Sequence, residues 1–255
     1  MKKSIVFFII FFFCFLVFSN FAFAQYSNRG AELGITNFMA YGINYLVNNG
    51  VAIENIFLIL ILPIIASVVA FTRQFLGIKT FGIYTPTIIT LSFVAMGLKF
   101  GLVFFIVIMI LATLFRFALK KSRLLYLPRM ALLLTIVAFA IFVIFLLGAK
   151  FNIFGIISLS IFPILILIIM SEKFIAAQIE KGGWQTIILT LETILVSIAC
   201  YFLITWPWFK NFILTYPELT LLTLIIDVLL GKWIGLRLSE YLRFQELRKF
   251  IKERG

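Results

Sequence analysis

Apolar stretches long enough to cross a bilayer occupy most of this 255-residue chain, which leaves it little choice of fold. They run over 52–72, 81–97, 100–118, 129–148, 153–171, 185–205 and 217–236, separated by short polar joints. Each approaches the ~20 residues that a hydrocarbon core of about 30 Å demands, the second being the shortest. The fold class that follows is an all-α integral membrane protein. Seven transmembrane helices over 52–240 leave no room for a soluble domain.

The amino terminus sets a direction. Lys2 and Lys3, the apolar run from Ile5 to Phe18 and the Ala22-Phe23-Ala24 site make up a signal peptide over 1–24. Cleaved after Ala24 or kept as an anchor, it places the segment 25–51 outside. That segment is too short for a domain, and its Phe38, Tyr41, Tyr45 and Val47 suit the membrane surface. If the spans then alternate, Arg73, Lys79, Arg116, Lys120, Lys121, Arg123, Arg129, Lys173, Lys181, Lys232, Arg237, Arg243, Arg248, Lys249, Lys252 and Arg254 fall inside. Arg29, Lys99, Lys150 and Lys210 fall outside, a ratio of sixteen to four. Lysine and arginine concentrate on the cytoplasmic side of membrane proteins, so the carboxy terminus, with a basic amphipathic tail over 241–255, is expected there. The formal net charge of +12 is thus a topology signal and a rim facing anionic lipid. No basic region is free of the membrane, which argues against nucleic acid as a partner. The lipid bilayer is the partner that composition implies.

Several chemistries are excluded. Without histidine there is no Ser-His-Asp triad, imidazole relay or His-based metal site. Cys14 lies in the signal peptide and Cys200 in the sixth span, so the mature chain has no disulfide or paired-cysteine zinc site. Walker and dinucleotide-binding patterns are absent as well. No cofactor is expected and the chain reads as non-enzymatic. Trp184, Trp206, Trp208, Tyr216 and Trp233 lie near span ends, where amphipathic rings anchor to the interface.

Prolines and buried acids mark the candidate pathway. Pro63, Pro86 and Pro163 fall inside spans, where each frees the carbonyl four residues back: Ile59, Gly82 and Leu159. In hydrocarbon such carbonyls need partners, so the kinks should face protein or a watery cavity. Phe81-Gly82-Ile83 leads to Pro86, and Phe154-Gly155-Ile156 leads to Pro163. A plain helix follows each, then one opened by Pro128 or Pro217. This order suggests a 3+3 inverted repeat of helices 2–4 and 5–7, with Pro86 and Pro163 at equivalent kinks facing each other. Paired broken helices of that kind build transport sites. Glu192 and Asp227 lie within the sixth and seventh spans and should face the bundle interior. Each is either a neutral acid bonded to a neighbour, with Thr190, Thr193 and Ser197 close to Glu192 in sequence, or a proton or cation site. The candidate substrate or ion pathway is therefore Gly82, Pro86, Gly155, Pro163, Glu192 and Asp227.

On the cytoplasmic side, Glu172 and Lys173 open the loop between spans five and six. The seventh span runs on through Arg237, Glu240, Arg243 and Phe244. These six residues are the candidate surface for docking a cytosolic partner; their other reading is a solvated helix end lying on anionic lipid.

At these residues the chain resembles a family. Phe81-Gly82 with Thr85-Pro86, Leu127-Pro128-Arg129, Phe162-Pro163, Glu172-Lys173-Phe174, Pro217-Glu218-Leu219 and Gly231 to Phe244 look like a bacterial seven-transmembrane domain usually found fused to an inactive transglutaminase. The similarity spans about 52–245, while residues 25–50 stand where that family carries its transglutaminase-like domain. More distantly, spans two to six are similar to the small membrane subunit of poly-γ-glutamate synthesis. The resemblance implies the bacterial inner membrane, a cytosolic ATP-grasp amide ligase as partner and a separately encoded transglutaminase-like extracytoplasmic protein. The function it implies is a membrane subunit that holds or translocates a peptide-like, amide-linked product. The alternative is a membrane sensor or scaffold that signals through its cytoplasmic tail.

Overall fold

The structure, a computed structural model, describes residues 37–119, 125–152 and 159–232. The expected signal peptide 1–24, residues 25–36 of the segment after it, Gly155 and the tail carrying Arg237, Glu240, Arg243 and Phe244 lie outside the described residues. All regular structure among the described residues is helical: α1 (Phe38–Asn48), α2 (Ile53–Phe71), α3 (Tyr84–Met96), α4 (Leu98–Leu119), α5 (Tyr126–Lys150), α6 (Ile161–Lys181), α7 (Gly183–Thr205), α8 (Pro207–Thr215) and α9 (Leu222–Gly231). A π-helical turn, Thr72–Leu76, extends α2, and a 3-10 turn, Pro217–Leu221, precedes α9.

Five described helices are long and apolar enough to cross a membrane: Ile53–Leu76, Leu98–Ala118, Leu127–Lys150, Ile161–Lys181 and Gly183–Thr205. The pair Pro207–Thr215 and Pro217–Gly231, bent by 94°, is a broken sixth span or a re-entrant loop. Three expectations change here. The second expected span is the 13-residue α3, about 20 Å long at 1.5 Å per residue and too short to cross alone. The fifth expected span, 153–171, is shifted, since α6 begins at Ile161 and continues to Lys181. The joint expected between the sixth and seventh spans is itself helical, α8, and turns by 94° into the segment that Pro217 opens.

The shift of α6 moves Glu172 and Lys173 out of the expected loop and into the helix, where Lys173 is exposed and Glu172 half-buried. The joint between α6 and α7 is the single residue Gly182, whose φ of 85° a side chain would resist.

Pro86 and Pro163 are not kinks. Each is the third residue of its helix, α3 and α6 respectively. In the first turn the missing N–H has no intrahelical partner to lose, so proline there starts a helix instead of breaking one. Only Pro63 sits in a helix interior, in α2.

By its contacts the chain divides into two compact units. One comprises Met1–Ile64 with Leu203–Leu229. Within it α1 lies against the 3-10 turn, and the backbone N–H of Ala40 donates to Glu218 Oε1 at 3.2 Å. Ala40 is in the first turn of α1, which Asn37 caps with no side-chain bond; the Glu218 carboxylate does so instead, where the helix dipole favours negative charge. The segment 25–51 is thus helical over Phe38–Asn48, with no buried residue in that helix and with Phe38, Tyr41, Tyr45 and Val47 exposed. Lys210 Nζ stands 5.4 Å from the centre of the Phe57 ring.

The second unit comprises Ile65–Phe202 with Leu230–Gly255. Its core joins Phe93 of α3, Phe104 and Ile108 of α4, Leu133 and Val137 of α5, and Leu167 and Ile175 of α6. α6 packs against α3, α4 and α5 and is the most buried span, 50% against 22% for α5, which makes it the central helix of the unit. Met109 and Phe174 line one small cavity, and Arg116 reaches Gln178, so α4 and α6 run parallel. Thr85 lines that cavity with Met170 and Phe174, so the first turn of α3 lies beside the middle of α6. Pro86, next to Thr85, thus lies beside the middle of α6, whereas Pro163 is in its first turn, so the two do not face each other. At the α3–α4 joint, Gly97 has φ 81°. A Cβ on Gly101 would stand 2.5 Å from Cδ1 of the fully buried Phe93, so the two helices approach where only hydrogen fits.

Candidate functional site

Between the π-helical turn and α3 the chain is non-helical over 77–83. Gly77 (φ 79°) ends the turn and Gly82 (φ 98°) precedes α3, both in the left-handed region. The carbonyl of Gly82, which Pro86 cannot serve, accepts from Thr80 Oγ1 at 2.8 Å. The partner expected for that freed carbonyl is therefore a hydroxyl two residues before it.

This segment lies beside the middle of α7. The backbone N–H of Lys79 donates to Glu192 Oε2 at 2.8 Å, and Glu192 is the tenth of the 23 residues of α7. A turn further on, Ser197 Oγ donates to the carbonyl of Pro86 at 3.1 Å, and Thr90 Oγ1 donates to the same oxygen at 2.8 Å. Thr90 and Ser197 are fully buried. The carbonyl of Pro86 thus becomes the polar pin between α3 and α7.

The residues near Glu192 in sequence do not bond to it. Thr190, Thr193 and Ser197 donate to the carbonyls of Thr186, Leu189 and Thr193 on their own helix. Thr186, Thr190, Thr193 and Ser197 repeat at helical spacing along the buried face of α7, and that stripe, legible in the sequence, was the overlooked signal. Glu192 itself is half-buried, with the Lys79 N–H as its described partner.

Lys173 belongs to the same region. It lines a cavity of about 10 Å³, the threshold for one water, with Phe81, Thr85 and Phe174. On α4 this cavity touches Met109, seven residues or about 10 Å along the helix from Arg116. Lys173 is therefore deeper than the basic rim in which sequence reading placed it.

Asp227 belongs to the other unit and lies on an exposed face of α9, not in the interior as expected. Thr223 on the preceding turn is buried and donates to the carbonyl of Thr220. Within the second unit the structure groups Gly82, Pro86, Glu192 and Lys173 and sets Pro163 in the first turn of α6. Gly155, Arg237, Glu240, Arg243 and Phe244 lie outside the described residues.

A second polar cluster, missed in the sequence, ties α4 to α6. Arg116 donates through Nη1 to Gln178 Oε1 at 2.8 Å and through Nη2 to the Gln178 carbonyl at 3.0 Å. Gln178 Nε2 donates to Thr113 Oγ1 at 3.0 Å. No group of His, Cys, Asp and Glu able to hold a metal occurs among the described residues.

Residues 5–248 match the sequence pattern of a family described as seven transmembrane helices usually fused to an inactive transglutaminase. No curated protein and no solved structure matches the chain.

Proposed function

The chain belongs to that family of seven-helix membrane proteins, and from this premise we propose that it is a non-enzymatic subunit of the bacterial inner membrane. It holds or passes a peptide-like, amide-linked product made by a cytosolic ATP-grasp-type ligase. One observation carries the reading: the non-helical segment 77–83 is tied to Glu192, midway along a spanning helix. Irregular backbone is tolerated at that depth only within protein or beside a water-filled cavity. Secondary transporters bind substrate at such interruptions, through unpaired backbone groups and helix ends. Gly82, Pro86 and Glu192 shape this place, and Lys173 adds a cation that hydrocarbon would not accept. The inverted repeat rests on sequence order, Phe81-Gly82-Ile83 before Pro86 and Phe154-Gly155-Ile156 before Pro163.

In this reading the mature amino terminus is outside and the basic tail inside, where Arg237, Glu240, Arg243 and Phe244 dock the ligase. A separately encoded transglutaminase-like protein acts on the outer side. A photo-crosslinking amino acid at Phe244 should capture an amide ligase in living cells. Deleting the gene should leave the amide-linked product inside cells whose extracts still make it. Capture of a kinase or cyclase, with unchanged export in the deletion, would replace this reading by the signalling one.

A further inference from the structure

Where α6 and α7 diverge from Gly182, a groove of about 340 Å³ opens between them and α4. It is the size of a small-ligand site. Ile106, Ile110 and Leu114 of α4, Phe174 of α6 and Thr190 and Ile194 of α7 line it. The lining on α4 runs from Phe105 to Phe117, about 18 Å of helix, close to one leaflet of an ~30 Å hydrocarbon core. Ile106, Ile110, Leu114 and Phe117 are all more than 40% exposed.

At one end the groove meets a cation. Thr113 lines it and also accepts the bond from Gln178, whose other groups hold Arg116. Of the five N–H donors of a guanidinium, two are spent on Gln178, which leaves three among the described residues. The guanidinium carbon stands 5.8 Å from the centre of the Phe117 ring. Its fork is thereby fixed in place, and such a fork suits the two oxygens of a phosphate.

We propose that this groove binds one anionic phospholipid of the surrounding leaflet, its acyl chain between α4, α6 and α7 and its phosphate on Arg116. Charge and length select the occupant: the groove is apolar for one leaflet's depth, and a preoriented cation stands beside its Thr113–Phe117 end. The lipid fills the gap between α6 and α7 and stabilises the unit when bound. This inference is independent of the proposed transport role.

The test uses the full chain in detergent, with lipid binding read by native mass spectrometry and by thermal midpoint. The probes are phosphatidylglycerol, phosphatidylcholine with the same chains, and glycerol 3-phosphate. Phosphatidylglycerol should bind at least tenfold more tightly than phosphatidylcholine, and glycerol 3-phosphate should give no shift. Arg116→Gln should abolish the preference between the two lipids. Because Arg116 also ties α4 to α6, Leu114→Trp and Ile110→Trp form a second arm. Both positions are exposed, and either tryptophan should weaken both lipids tenfold or more with the lipid-free midpoint unchanged. Equal affinity for the two lipids, or undiminished binding in both tryptophan variants, would overturn the proposal. So would a dimer that the tryptophans dissociate, since a second copy would then be the occupant.

Discussion

Replacing Glu192 should release the segment that it holds. The N–H of Lys79 lies outside any helix and donates to the Glu192 carboxyl at 2.8 Å, midway along α7. A hydrogen bond to a charged acceptor contributes about 1.5–3 kcal/mol and one to a neutral acceptor about 0.5–1.5. Glu192→Gln keeps an acceptor oxygen but loses the charge, so an ionised carboxylate implies a loss of about 1 kcal/mol. Glu192→Leu leaves the N–H without an acceptor at a cost of about 1–3 kcal/mol. Since 1.4 kcal/mol is tenfold, opening of the segment should become roughly fivefold more frequent in the first variant and up to about a hundredfold in the second. Residue-resolved hydrogen exchange in lipid nanodiscs reads this directly at the Lys79 amide, with an amide in the middle of α4 as the internal control. Unchanged protection of Lys79 in Glu192→Leu would refute the reasoning. A large effect for leucine with none for glutamine would instead identify Glu192 as a neutral acid, one of the two states its sequence left open.

Gly82→Ala should lower stability by about 1–2 kcal/mol through its φ of 98° alone, since nothing lies within 4 Å of the added Cβ; Gly183→Ala, equally open but with no such φ, is the matched thermal-unfolding control. Gly101→Ala should cost about 1–3 kcal/mol by overpacking against Phe93, and Phe93→Leu in the same chain should recover part of it in a double-mutant cycle. A reporter fused after Gly255 should be active only in the cytoplasm, and its export would overturn the proposed orientation. Glu192→Gln with Asp227→Asn should leave export independent of membrane potential if either acid carries a coupled charge, worth roughly 2.3 kcal/mol per 100 mV; an unaltered dependence would end the ion-coupling idea.

The membrane class and the helical content were legible in the sequence, because hydrocarbon imposes length and apolarity on each span separately. Apolarity alone could not place the ends of α3 and α6. The stretches 81–97 and 153–171 are apolar both where they are helical and where they are not, so Pro86 and Pro163 looked internal although each opens a helix. Helix ends depend on which neighbour takes the unpaired backbone groups, and those neighbours are remote in sequence. Glu192 stood out as a charge in an apolar run, but its partner, the N–H of Lys79, lies 113 residues away and belongs to the backbone, which has no letter in the sequence. The Arg116–Gln178 clasp was hidden for the same reason: each residue looks like ordinary polarity near a span end until packing brings α4 and α6 together. The periodicity of one segment determines what that segment becomes, while a site made of several segments is decided by tertiary contact, where hydrogen bonds and charges meet partners that sequence proximity does not specify.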